Sequence, residues 1–173
     1  MEFLTEQKIE IVSRGTYLLE RGNLCETVYK VVKGCLKSYV IDNAGKEHIL
    51  QFAPEGWYIS DLDSFINNKP TTIFIEAIEE TTVLHLVKPV ENNTEPDYNT
   101  LIELNNRYLK NIISVNKRLI ALLSATAEER YIEFTQTYPS LVQRLPLKLI
   151  ASYIGITPEY LSKVRRRMAH RRG

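Results

Sequence analysis

Cysteine is almost missing from this 173-residue chain, and the two present, Cys25 and Cys35, cannot build a disulfide framework or a four-cysteine zinc or iron–sulfur site. They are expected as reduced, half-buried thiols. Histidine is scarce too: the first 143 residues hold only His48 and His85, without close spacing, which argues against a metal-dependent enzyme of the cupin type. No run of about 18 apolar residues exists, and the N-terminal stretch MEFLTEQKIEIVSRG carries acids inside its short apolar segment, so neither a membrane span nor a secretory signal is expected and the chain is placed in the cytoplasm. Glycine and proline number seven each, too few for a disordered or fibrous chain.

The glycines that are there sit at 15, 22, 34, 45 and 56, and none follows until Gly155. Turn punctuation every 7 to 12 residues is what short antiparallel strands require. Segments 16–19, 27–32, 36–41, 47–52, 73–78 and 82–87 are rich in Val, Ile, Tyr and Leu and are expected as strands. Asp42-Asn-Ala-Gly-Lys46 supplies a hairpin loop with Gly45 in the left-handed position. Six or more such strands predict a jelly roll or barrel whose closure protects its edges. Residues 88–96, with two prolines, two asparagines and two glutamates, read as a linker or exposed loop.

From 97 to 126 there is neither glycine nor proline, and apolar residues recur at helical spacing, predicting one long helix. Leu101, Asn105, Tyr108, Ile112, Val115, Leu119 and Leu122 alternate by four and three, a heptad seam suited to pairing with a second copy, with Asn105 as a register-fixing polar residue. A second stripe, Ile102, Leu109, Ile113 and Ile120, runs beside it. One of the two apolar faces can pack on the chain's own domain while the other meets the partner. A shorter helix is expected at Ala127–Thr137, opened by Glu128 and Glu129 and closed by Tyr138-Pro139-Ser140. The division is then 1–96 for a β-domain, 97–126 for the dimerisation helix and 127–173 for a helical C-terminal unit.

The net charge of +1 hides an asymmetry. Residues 144–173 carry eight Lys/Arg against the single acid Glu159, a net of +7, leaving −6 on the first 143 residues. A basic end on an acidic body points to a polyanion. The same end holds LKLIASYIGITPEYLSKVRR (147–166), which reads as two helices about a tight turn. Pro146 starts the first, and small Ala151 permits close approach. Gly155 supplies positive φ, Thr157 caps the second helix and Pro158 occupies its first position. Ile150, Ile154, Ile156, Leu161 and Val164 form the wedge between them. Such a helix-turn-helix presents Thr157, Glu159, Tyr160, Ser162, Lys163, Arg165, Arg166 and Arg167 to double-stranded DNA. By chemistry, Glu159 can accept from cytosine N4 and Lys163 can donate to guanine, while the arginines, with Arg171 and Arg172, hold phosphates. A competing reading is a ligand-binding sensor module whose basic end serves another partner.

A glycine-punctuated β-domain, a long helix and a C-terminal helix-turn-helix, in that order, resemble the Crp/Fnr family of regulators related to the cyclic-AMP receptor protein. Tyr29-Lys-Val-Val-Lys-Gly-Cys-Leu-Lys resembles the family's strand–glycine–strand signature, residues 42–52 its following hairpin, and Glu55-Gly-Trp-Tyr-Ile-Ser-Asp-Leu-Asp-Ser-Phe its phosphate-binding cassette. The resemblance implies an α+β fold with a cyclic-nucleotide-binding-like jelly roll, no enzymatic activity, DNA and a second copy of the chain as partners, RNA polymerase as a further candidate partner, and no membrane. It puts Asp61 and Thr71-Thr72 where cyclic-nucleotide binders carry a ribose-binding glutamate and an Arg-Ser pair. Without that arginine the cyclic phosphate lacks its bidentate charged partner, so cyclic AMP is not expected as effector and no cofactor or metal is assigned. The candidate effector pocket is Trp57, Tyr58, Asp61, Thr71 and Thr72, with core packing the expected role of Trp57. In the recognition helix, Glu159 and Lys163 stand where the family places its base-reading glutamate and arginine, and Pro158 replaces a further arginine. The chain stops at Gly173, before the β-wing of many members, and starts without much of their N-terminal helix, which points to a wingless branch or a shortened chain.

Overall fold

In a computed structural model, residues 5–87 and 98–170 are described. Eight strands form two antiparallel four-stranded sheets: β1 (Thr5–Val12), β8 (Thr81–Val87), β3 (Thr27–Lys33) and β6 (Tyr58–Ile59) in that order, and β2 (Tyr17–Leu19), β7 (Phe74–Ala77), β4 (Leu36–Ile41) and β5 (Glu47–Ala53). The helices are α1 (Leu62–Asn67), α2 (Tyr98–Ser124), α3 (Ala127–Thr137), α4 (Leu147–Ile154) and α5 (Pro158–His170), with a 3₁₀ turn at Pro139–Leu141. The two sheets are separate, so the edge protection expected from barrel closure is not what operates. Instead α4 lies along β5, where the Ser152 hydroxyl donates to the Glu47 carbonyl at 3.1 Å.

Six strands fall where the glycine spacing and alternation put them. The two others, and α1, lie in stretches given no element from sequence. In β1, Ile9 and Ile11 alternate with Lys8 and Glu10, a strand period, but the isoleucines are about two-thirds exposed. The polar pair is occupied instead: Lys8 meets Glu10 at 3.0 Å, and Glu10 meets His85 of β8 at 2.8 Å. Helix α1 is started by Asp61, whose carboxylate accepts from the Asp63 and Ser64 backbone N–H groups.

Gly34, in the β3–β4 turn, shows why the strand–glycine–strand spacing is strict. Its φ is +90°, and a Cβ there would come within 2.5 Å of the Glu80 carbonyl oxygen and 2.8 Å of Thr81 Cα. Backbone on both sides leaves no room for a side chain.

The core has two parts. Between the sheets lie Val28, Val31, Leu36, Ile59, Phe65, Ile75 and Val83, all essentially inaccessible. On the outer side of the β4–β5 sheet, Cys35, Tyr39, Ile49 and Phe52 pack against Phe134, Tyr138, Ile150, Tyr153, Leu161 and Val164 of the helical unit. That second core is aromatic: Phe52 lies with its ring centre 5.5 Å from Tyr153, 5.9 Å from Tyr138 and 6.3 Å from Phe134. Because β4 is covered on both faces, its side chains are buried in succession and the alternation there is weak. Lys37, 5% exposed, survives burial by pairing with Glu47 at 3.0 Å and Glu76 at 3.1 Å. Both cysteines are fully buried, not half-buried, and burial pushes the Cys35 thiol far up, away from thiolate chemistry.

A charged tie reinforces the aromatic one. Arg144, between the 3₁₀ turn and α4, donates to both Glu55 oxygens at 2.9 and 3.0 Å and also to Glu79, while Glu55 accepts from Gly34 N–H at 3.0 Å. The arginine holds the Glu55 carboxyl below its ordinary range. A carboxylate with a lowered folded-state pKa adds stability above its unfolded value, and that stability is lost as pH falls through the folded one. All three side chains are about a third or more exposed, so Arg144→Ala is expected to cost only about 0.5–1 kcal/mol at neutral pH. Urea unfolding at pH 7 and again near pH 3 checks this: the gap between parent and variant should close at the lower pH, and a gap that persists contradicts the ion-pair origin.

Candidate nucleic-acid interface

Helices α4 and α5 pack around Ala151, Ile150, Ile154, Leu161 and Val164, each no more than 2% exposed. Gly155 at φ +72° turns the chain between them, and Ile156 N–H returns to the Ala151 carbonyl at 3.0 Å. A Cβ on Gly155 would come 3.0 Å from Leu122 Cδ2 of α2. Thr157 Oγ1 accepts from Tyr160 N–H at 3.2 Å, so it caps α5 as its residue type suggests, and Pro158 is the first helical residue. Preceding this pair, α3 is opened by a reciprocal cap: Thr126 N–H donates to Glu129 Oε2 at 2.7 Å, and Glu129 N–H donates to Thr126 Oγ1 at 3.3 Å.

With Leu161 and Val164 inward, α5 turns Glu159, Tyr160, Ser162, Lys163, Arg165, Arg166 and Arg167 to solvent, and Thr157 is exposed at its start. Among the described residues no carboxylate pairs with Lys163, Arg165, Arg166 or Arg167. Arg167 lies 5.7 Å above the Tyr160 ring, and the Ser162 hydroxyl donates back to the Pro158 carbonyl at 3.0 Å. Hydrogen bonds from its own backbone N–H and the Thr157 hydroxyl hold the Glu159 carboxyl below its ordinary range, so it is ionised at neutral pH. Arg171 and Arg172 lie outside the described residues.

Behind this face, α2 leans on the β-domain and encloses a cleft of about 370 Å³. Of the residues expected at an effector pocket, the structure brings Tyr58 and Asp61 to its wall. The others go elsewhere. Trp57 points the opposite way from its neighbour and packs on Tyr138, ring centres 5.2 Å apart, between the two cores. The buried Thr71 donates its hydroxyl to Asp61 Oδ2, and Thr72 is not part of the cleft lining. Sequence reasoning missed Ser38, Gln51 and Arg118, which line the cleft from three separate elements. The two histidines of the β-domain stand apart from it: His48 pairs with Asp42 at 2.6 Å, and His85 packs edge-on to Tyr29.

Of the described positions of the heptad seam on α2, all but Leu122 are exposed. Ile112, Val115 and Leu119 are 42–54% exposed, with Ile112 and Val115 also bordering the cleft. Leu122, by contrast, is partly buried, turned toward Gly155 of its own chain. Leu109, Ile113, Ile120 and Leu123 complete the open face, at 41–81% exposed. Leu101, Asn105 and Tyr108 belong to α2, but their side chains lie outside the described residues, as does the whole 88–96 segment.

Among the described residues no helix is long and apolar enough to cross a membrane. Residues 9–90 match the cyclic nucleotide-binding domain family. The chain is 26% identical over 167 residues to the anaerobic regulatory protein of Aggregatibacter actinomycetemcomitans, covering 88% of this chain and 63% of that one. It is 29% identical over 75 residues to the cAMP-activated global transcriptional regulator CRP of Salmonella typhimurium, covering 43% and 36%. It thus spans less than two thirds of the length of these curated relatives. Among solved structures, FixK2 from Bradyrhizobium japonicum superposes with a TM-score of 0.76 at 21% identity, over 95% of this chain and 85% of that one. A Crp/Fnr-family regulator from Thermus thermophilus gives 0.66 at 16%, over 95% and 87%. The chain therefore carries a cyclic nucleotide-binding domain at residues 9–90, has Crp/Fnr-type regulators as its homologues and shares their fold.

Proposed function

We propose that the protein is a DNA-binding transcription regulator of the Crp/Fnr type, acting as a homodimer with the α5 helices in the major groove. The observation that carries this is the outward face of α5: an ionised Glu159, Lys163 and three arginines without carboxylate partners among the described residues, on a helix fixed by a glycine turn and a threonine cap. Base edges are read by Glu159 and Lys163, and the flanking arginines hold phosphates. The second copy is recruited by the open apolar face of α2 from Leu109 to Leu123. Regulating transcription in this way makes RNA polymerase a further partner. Cyclic AMP is not the effector: Thr71 and Thr72 stand where the phosphate-binding pair would be, and the Thr71 hydroxyl is already bonded to Asp61.

Fluorescence anisotropy against a genomic fragment library, with sedimentation of the bound species, tests the proposal. Selected fragments should bind far more tightly than bulk DNA, two protomers per site, with affinity falling steeply as salt rises. Absence of sequence-selective binding at every ionic strength would sink it.

A further inference from the structure

A sheet edge is a row of unpaired backbone N–H and C=O groups, and proteins keep such edges short or cover them. Of the four edges of the two sheets, three follow that rule. β2 and β6 are three and two residues long. β5 lies under α4, and its Glu47 and Leu50 carbonyls are taken by the Ser152 hydroxyl and by Arg118 Nη1. The fourth edge, β1, is eight residues long, pairs with β8 on one side, and has no strand on the other among the described residues.

β1 also leaves apolar surface open. Val12 is buried between the sheets, and Lys8 and Glu10 share its side of the strand, so Ile9 and Ile11 stand on the opposite side, 67% and 69% exposed. The register with β8 shifts between Glu6 and Lys8 and is regular from Lys8 to Val12, so both isoleucines sit in an unbroken ladder.

The charges of that stretch select its partner. In an antiparallel pair, opposed residues turn their backbone groups the same way, so a two-fold axis between two copies of β1 must pass where one residue faces itself. Axes at Ile9, Glu10 and Ile11 keep at least three residues of Lys8–Val12 paired. The axis at Glu10 sets that carboxylate against its own copy, a destabilising like-charge pair. The axis at Ile11 joins no opposite charges and leaves Ile9 facing residues past the strand end. The axis at Ile9 sets Lys8 of each copy against Glu10 of the other, Ile9 against Ile9, and Ile11 on the diagonal. Within one chain Lys8 and Glu10 meet at 3.0 Å with side chains 58% and 39% exposed, so both remain accessible to a neighbour. The strand is complementary to itself in this one register, which also covers the isoleucines.

We propose that β1 is a self-association surface, pairing antiparallel with β1 of a second copy about an axis at Ile9 and joining the two four-stranded sheets edge to edge. The contact is small, so association is weak and depends on concentration. It goes beyond the regulator reading and requires no part of it. Combined with pairing through α2, it joins two dimers into a tetramer.

Sedimentation equilibrium of the whole protein without DNA, over a wide concentration range, is the test. The mass should double reversibly as concentration rises: from dimer to tetramer where α2 pairs, and from monomer to dimer where it does not. Failure of the α2 contact is thereby told apart from failure of this one. Lys8→Glu and Glu10→Lys should each weaken the doubling about tenfold, since each brings like charges face to face twice. An equimolar mixture of the two variants should restore it, because every reversed charge then meets its opposite in the other chain. Ile9→Thr, a strand-compatible change at an exposed site that leaves the charges in place, should also lose the doubling, with circular dichroism as the folding control. A mass that stays constant with concentration, as when β1 serves a different protein, overturns the proposal. So does doubling that the charge reversals leave unchanged, or that the mixture fails to restore.

Discussion

Phe52→Ala should remove about 3–5 kcal/mol of folding stability, a large part of the 5–15 kcal/mol typical of a natural domain. Phe52 is 0% exposed and meets Phe134, Tyr138 and Tyr153 from a β5 position that faces the helical unit. Its ring is the point where α3, the residue that closes α3, and α4 converge on the sheet, so truncation leaves a cavity that aromatic neighbours cannot fill without leaving their rotamers. The helical unit should loosen before the β-sandwich, whose own core of Val31, Leu36 and Ile75 lies on the other side of the sheet. Urea unfolding followed by near-ultraviolet circular dichroism measures it. A loss below about 1 kcal/mol would mean that the second core does not hold the helices to the sheet.

The glycine rhythm makes the β-domain legible because each strand end needs a backbone that only glycine or asparagine adopts cheaply, as at Gly34 and Gly45. The helix-turn-helix is legible for the same reason: Gly155, Thr157 and Pro158 each have a single good place in such a unit. What escaped had weaker local signals. β6 is two residues long, and β1 exposes its isoleucines while its charged residues are paired, the reverse of the usual strand pattern.

The candidate pocket was half legible. Neighbours in an extended segment point to opposite sides, so naming Trp57 and Tyr58 together guaranteed that one would miss the cleft. Arg118, Ser38 and Gln51 come from distant segments, and nothing local marks an arginine on a long helix as the residue that will reach a strand carbonyl. On α2 the heptad spacing could not mark Leu122 as the position that turns toward Gly155 of its own chain, because that contact is made with a distant segment.

Replacing Lys163 and Arg166 together by alanine should weaken binding to a selected DNA site on the order of 10²- to 10³-fold, since each base or phosphate contact contributes about 1–3 kcal/mol. Both side chains are exposed and lie on the opposite side of α5 from Leu161 and Val164, so the fold should be unaffected. The salt dependence should also flatten, by roughly one unit of slope for each phosphate contact removed. The deciding measurement is the salt-dependent affinity of this double variant for a site selected by the parent protein, with circular dichroism as the control for folding. A loss of that size with a shallower slope is the expected result, and unchanged affinity in a folded variant would contradict DNA recognition by α5.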